Sequence, residues 1–171
     1  HRNELTVSEY DVNLPSGYVR NIHQDEENNL WFGTDKGLVI QNVTENTTRL
    51  VQSQNASTAL SSNLVFKIYQ SRDKTVWVGT RGGGVGKHYP TSRLFETFGK
   101  SVDLAKGLND PVIFSIAEGK DNSVWFGTEL GEVVKFDART MAFEHKSLSF
   151  NFDIVRERIT RIKERKNNEI L

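Results

Sequence analysis

The chain has 171 residues, with 22 basic and 22 acidic side chains and therefore no formal net charge. That balance lacks the cationic excess with which nucleic-acid-binding proteins hold phosphates, so no nucleic-acid partner is expected. The absence of Cys excludes a disulfide framework, a thiolate metal site and a thiol nucleophile. No apolar run approaches the roughly 18–20 residues of a membrane-spanning helix, and no secretion-signal pattern opens the chain. His1 stands where an initiator Met would, and the chain ends at Leu171 in mid-pattern, so a longer parent protein is expected.

In chain order, residues 5–12 read as one extended segment, the last strand of a preceding unit that occupies 1–13. Residues 14–59 form a first unit of four strand-like runs, at 18–24, 29–34, 37–43 and 48–52. Asp, Asn and Lys turns at 25–28, 35–36 and 44–46 separate them. Residues 60–107 repeat the arrangement with turns at 71–75 and 81–82. Residues 108–153 repeat it again with turns at 119–123 and 129–130. A fourth unit begins at 154, with Ile154, Ile159 and Ile162 in its leading columns, and runs to 171.

The copies keep register. Leu30-Trp31-Phe32-Gly33-Thr34 returns as Val76-Trp77-Val78-Gly79-Thr80 and as Val124-Trp125-Phe126-Gly127-Thr128, with the tryptophans 46 and 48 residues apart. Leu14, Leu60 and Leu108 lead the columns. Val19, Val65 and Ile113 follow, then Ile22, Ile68 and Ile116. Behind the motif come Gly37, Gly83 and Gly131. Four short strands in a period of 40–50 residues, with a Trp-Gly signature, predict an all-β fold. We expect a partial β-propeller of four-stranded antiparallel blades with a W-x-G-T repeat of 46–48 residues. One such sheet cannot bury both faces by itself, so the tryptophans are expected to pack between neighbouring blades. Gly33, Gly79 and Gly127 suit close backbone approach beside Trp. Gly37, Gly83 and Gly131 suit positive φ in a tight turn. The length holds about 3.6 such units, short of the usual closed ring of six to eight.

The stretches LWFGTDKGL, VWVGTRGGGV and VWFGTELGEV resemble the two-component regulator propeller repeat, and the resemblance covers residues 14–171. It implies the periplasmic, ligand-sensing region of a bacterial membrane receptor whose output module is a histidine kinase, often hybrid, or a diguanylate cyclase. A small-molecule or oligosaccharide ligand is implied with it. The expected function is non-catalytic recognition, with no cofactor. Two other readings stand beside it, a propeller enzyme of the streptogramin-lyase type and a protein-interaction scaffold.

The remaining motifs carry no catalytic or metal site. The Gly-rich run at 79–86 lacks Walker spacing and reads as a hairpin. His23, His88 and His145 fall in first-, third- and fourth-strand columns and do not converge. The acidic turns at 25–28 and 120–122 lack the alternating ligand geometry of a calcium loop and read as backbone caps. The basic run Arg156, Arg158, Arg161, Lys163, Arg165 and Lys166 reads as a solvated strand. Propeller geometry puts the linkers between blades and the turns between second and third strands on one face. Their sequences vary while the strands do not, which marks Tyr18, Lys36, Arg81 and Glu129 as candidate ligand-binding residues. The open ends of the array also predict a homodimer, in which residues 5–12 of one copy complete the fourth blade of another.

Overall fold

The structure, a computed structural model, describes residues 12–15, 17–53, 60–92, 94–119, 121–147 and 158–163. The expected leading strand lies outside these residues except for Val12. So does the expected fourth unit, apart from 158–163.

Twelve strands form three four-stranded sheets. The first holds β1 (Val19–Gln24), β2 (Asn29–Thr34), β3 (Leu38–Asn42) and β4 (Thr47–Val51). The second holds β5 (Val65–Gln70), β6 (Val76–Thr80), β7 (Val85–His88) and β8 (Phe95–Phe98). The third holds β9 (Ile113–Glu118), β10 (Val124–Thr128), β11 (Glu132–Asp137) and β12 (Ala142–Ser147). Each sheet is an antiparallel meander in chain order.

The hairpins explain why these residues stop and turn. Between first and second strands one residue per sheet takes left-handed φ: Asn28 at 63°, Lys74 at 67° and Asn122 at 62°. All three stand three positions before Trp. The Asp25 carboxylate closes the first of these turns. Its oxygens accept from the N–H groups of Glu27 and Asn29, from Asn29 Nδ2 and from Trp31 Nε1 at 2.7 Å. The acidic residue thus caps backbone and anchors the indole, as its turn chemistry predicts. Ser71 does the second task alone, with Trp77 Nε1 donating to its Oγ at 3.2 Å. Gly119 holds that column in the third sheet, and Trp125 Nε1 finds no partner among the described residues. The motif threonines close the next turn. Thr34 Oγ1 donates to Gly37 O and Thr80 Oγ1 to Gly84 O, while Thr128 Oγ1 accepts from Glu132 N.

The sheets meet along their first strands, β1 against β5 and β5 against β9, with β2 and β6 adding contacts. The fourth strands fan outward, as propeller blades do. One buried cluster joins the first two sheets through Trp31, Leu38, Val65, Ile68 and Val78. A second joins the next pair through Trp77, Ile113, Ile116, Phe126 and Phe136. A third packs Ile159 and Ile162 on Trp125 and Val133. The tryptophans are therefore inter-blade residues, as expected. Residues 158–163 hold the packing position of a fourth blade without forming a strand. Ile159 N donates to Thr128 O and Ser115 Oγ donates to Ile159 O.

The motif glycine is a socket. A methyl group built on Gly33 would lie 2.7 Å from Val65 Cγ1, on Gly79 2.8 Å from Ile113 Cγ2, and on Gly127 2.5 Å from Ile159 Cγ2. Each W-x-G-T glycine receives the branched side chain that opens the next unit. What approaches is a side chain, not the backbone beside Trp: one from the following unit at each glycine, with Ser115 Oγ of the same sheet also crowding Gly127. The second glycine column divides. Gly37 (φ 135°) and Gly131 (φ 78°) take positive φ, but in the second sheet Gly82 (80°) and Gly84 (77°) do so in place of Gly83. Gly83 is wedged against Ser61, whose carbonyl carbon a methyl would approach to 2.7 Å.

Candidate ligand-binding site

Strand parity locates the site. Along β5 and β9 the buried columns stand three residues apart, at Val65 and Ile68 and at Ile113 and Ile116, and β1 repeats the spacing with Val19 and Ile22. Yet a strand returns to the same face every second residue. One extra residue must be absorbed between them. The ladders show it: Val19 pairs Thr34 and Asn21 pairs Gly33, Val65 pairs Thr80 and Lys67 pairs Gly79, Ile113 pairs Thr128 and Ser115 pairs Gly127. The bulged residues are Arg20, Phe66 and Phe114. Bulges re-aim a side chain, and these three are aimed at one another.

They form a stack across the inner edges of the three sheets. The Arg20 guanidinium lies 5.1 Å from the Phe66 ring centroid. Phe66 and Phe114 stack at 4.5 Å with an interplanar angle of 22°. The Arg158 guanidinium caps the far side, 4.2 Å from the Phe114 centroid. A depression of about 510 Å³ opens over the stack, lined by Tyr18, Val19, Arg20, Phe66 and Phe114. Arg20 has no carboxylate partner among the described residues, whereas Arg158 Nη2 lies 3.4 Å from Glu129 Oε1. Both faces of each ring are covered within the stack, so the depression is bordered by the apolar edges of Phe66 and Phe114 beside a guanidinium without a carboxylate partner among the described residues. That border suits a ligand with an apolar portion and polar or anionic substituents.

The linkers and the second-to-third-strand turns do share this face. Asp35 N donates to Tyr18 O, Arg81 N to Leu64 O and Glu129 N to Val112 O, the same bond in each sheet. Tyr18 lines the depression and Glu129 reaches it through Arg158. Lys36 and Arg81 sit on the outlying turns. They are exposed and outside the residues that line the depression. Sequence reasoning missed Arg20, Phe66 and Phe114, although the three-residue spacing was visible.

The histidines stay apart. His88 packs between Trp31 and Phe95, with ring centroids at 5.5 Å and 4.8 Å. His145 pairs with Glu132, Nδ1 to Oε1 2.7 Å. Burial pushes the pKa of His23 down, against the pull of Asp25. Among the described residues no three His, Asp or Glu side chains come close enough to share a metal ion.

A family model for the two-component regulator propeller matches three segments, 13–36, 59–82 and 107–129. Each match runs from the linker through the bulged first strand to the turn after W-x-G-T. The chain carries three matches to the two-component regulator propeller repeat. The family signature thus covers the inner half of each blade, where socket and bulge both lie. No protein of curated function matches the chain by sequence. Among solved structures, the extracellular domain assigned to hybrid two component system BT3049 of B. thetaiotaomicron superposes with a TM-score of 0.77 at 20% identity. That match covers 92% of this chain and 22% of the other. The extracellular domain of BT4673 from the same organism gives 0.75 at 19% identity, over 95% and 20% of the two chains. A streptogramin B lyase gives 0.62 at 18% identity, over 84% and 45%. These likenesses carry the fold, and the chain spans about a fifth of the length of the first two.

Proposed function

We propose that this run of repeats is part of the extracytoplasmic, non-catalytic ligand-recognition region of a bacterial signal-transduction receptor. Its ligand is a carbohydrate-like molecule that sits on the Arg20–Phe66–Phe114–Arg158 stack. The observation that carries this reading is the bulge in every first strand, which gathers the side chains of three blades into one stack on the linker face. The family repeat, and the naming of two similar structures as extracellular domains of component-system proteins, support the sensor role. In this reading the longer parent supplies membrane anchorage and output. Among the described residues no helix is long and apolar enough to cross a membrane. Sugar C–H groups pack on the apolar edges of Phe66 and Phe114, and Arg20 adds a preference for carboxylate- or sulfate-bearing sugars.

Calorimetry of the intact ectodomain against neutral and acidic oligosaccharides tests the proposal. Phe114→Ala is expected to weaken every ligand by about tenfold, for a loss of apolar contact and of the stack's support of about 1.4 kcal/mol. Arg20→Ala is expected to weaken the acidic ligands alone. A screen without any glycan ligand, together with a reproducible protein partner, would instead make the propeller an interaction scaffold. Metal-dependent turnover would make it an enzyme.

A further inference from the structure

The three blades differ in what they set against the face of their tryptophan. The cross-strand partner of Trp31 is Ile40, that of Trp77 is Lys87 and that of Trp125 is Lys135. Both lysines place an ammonium on the indole. Lys135 Nζ lies 5.6 Å from the Trp125 centroid and 2.6 Å from Asp121 Oδ2. Lys87 Nζ lies 5.3 Å from Trp77, 4.6 Å from Tyr89 and 5.4 Å from Phe136, and the residue is only 3% exposed. Burial pushes the carboxyl of Asp73, in the column of Asp121, up, but the Ser71 hydroxyl and Thr75 outweigh it and hold the carboxyl low, with a smaller pull from the charge of Lys87. A cation on Trp, near an acid four residues before that Trp, is thus a fixture of the second and third blades.

In the first blade no lysine stands at the position of Lys87 and Lys135. Ile40 is too short and carries no charge, and a cleft of about 410 Å³ opens between the first and second sheets. Trp31 and Ile40 line it together with the residues standing at the other cage columns. Asn42 replaces Tyr89, His88 replaces Phe136, and Glu27 replaces Asp73. Two acceptors are ready in the same walls. Asp25 is buried, and its four described hydrogen bonds come from uncharged donors, so its charge is not ion-paired among the described residues. His88, 8% exposed, donates from Nδ1 to Leu94 O at 3.1 Å, which leaves Nε2 an acceptor without a described partner. Burial, the largest influence, keeps that imidazole neutral by lowering its pKa. Two cations also border the cleft. Lys74 pairs with Glu26 at 3.4 Å, and Arg49, the cross-strand partner of Ile40, adds its charge to the burial that keeps His88 neutral.

We propose that this cleft binds a primary ammonium group on a short alkyl chain, an external counterpart of Lys87 and Lys135. A free amine and the side chain of a peptide lysine share that chemistry. The site lies between blades, apart from the stack on the linker face, and its success or failure is independent of the sensor reading.

The indole N–H of Trp31 reports on it directly, because it donates to Asp25 at 2.7 Å. Its proton–nitrogen signal is to be followed while the chain is titrated with n-butylammonium chloride, with Nα-acetyl-lysine amide, and with n-butanol as the neutral match at constant ionic strength. The Trp77 and Trp125 indoles, already facing their own lysines, serve as internal references. The expected result is a saturable shift of Trp31 alone, with butylammonium at least about tenfold tighter than butanol. Tighter binding of the lysine amide would assign a peptide source, and equal binding a free amine. Ile40→Lys supplies the ammonium from within and is expected to abolish the response while the other two indoles stay in place. Should that variant fail to fold, His88→Phe, which refills the cleft as Phe136 fills its own, serves the same purpose. An unmoved Trp31, an equal response to butanol, or a full response in the folded variants overturns the proposal.

Discussion

The glycine of W-x-G-T is the residue on which blade packing turns. Its hydrogen is all that separates the strand from a branched side chain of the next unit, and no unusual φ is involved at Gly33, Gly79 or Gly127. Gly79→Ala pushes a methyl to 2.8 Å from Ile113 Cγ2 and 3.0 Å from Ile113 Cβ. Overpacking of this kind costs about 1–3 kcal/mol. Truncating the intruder relieves part of the clash, so Gly79→Ala and Ile113→Ala combined are expected to cost less than their sum. A urea-denaturation double-mutant cycle measures the difference, and additivity within about 0.5 kcal/mol would refute the socket. The sequence showed that these columns exist but not that they touch. Gly33 meets Val65, a residue of the following copy, and superimposing copies compares like positions instead of joining unlike ones. The bulged residues were legible in principle, because buried columns three apart cannot both face inward on a regular strand. Arg158 was not legible. Its basic neighbours suggested solvent, and only the stack of Phe66 on Phe114 reveals the ring it covers.

At the scale of elements, strand number, order and hairpins follow from the turn residues, and the expected runs differ from the observed ones by a residue at their ends. Long linkers are harder to read, and that between β8 and β9 is held by a contact the sequence did not suggest. His145 on β12 presents Nε2 to Leu104 O at 2.9 Å and to Gly107 O at 3.1 Å, with Nδ1 against Glu132. Carbonyls only accept, so Nε2 carries a hydrogen. The carboxylate on the other side then favours a second proton on Nδ1. Burial alone would lower the pKa of His145, but Glu132 and the two carbonyls outweigh it and hold it above 6.5. The folded chain therefore binds this proton more tightly than the unfolded one. The resulting stability is complete below the unfolded pKa of about 6.5 and is lost as pH rises through the folded value. His88 has the opposite sign. Its pKa is lowered, chiefly by burial, so its contribution is present above 6.5 and lost as pH falls. His145→Gln is expected to be destabilising at pH 5.5 and progressively less so toward pH 8.5 in urea denaturation. A pH-independent difference would show that the imidazolium is not what holds the linker.

At the scale of the molecule, one repeated position has two different fates. Ile68 is 3% exposed, Ile116 5% and Ile162 7%, each covered by the preceding blade, whereas Ile22 is 61% exposed on the first sheet. Burying an isoleucine contributes about 1.5–3 kcal/mol, so a shared column does not mean a shared contribution to stability. Ile68→Ser is expected to cost about 2–4 kcal/mol and Ile22→Ser less than about 0.5 kcal/mol, as read by thermal or urea unfolding of this chain. Equal losses would mean that the first face is covered by something other than a blade. Because every unit offers a branched side chain on one flank and a glycine recess on the other, the array has a direction, like a row of tenons and mortises cut to one gauge. A whole unit removed or duplicated between equivalent positions would bring a matching tenon to a matching mortise. The number of blades could then change by copying alone, with no new joint to be shaped, while the chemistry carried on the inner edge varied from one copy to the next.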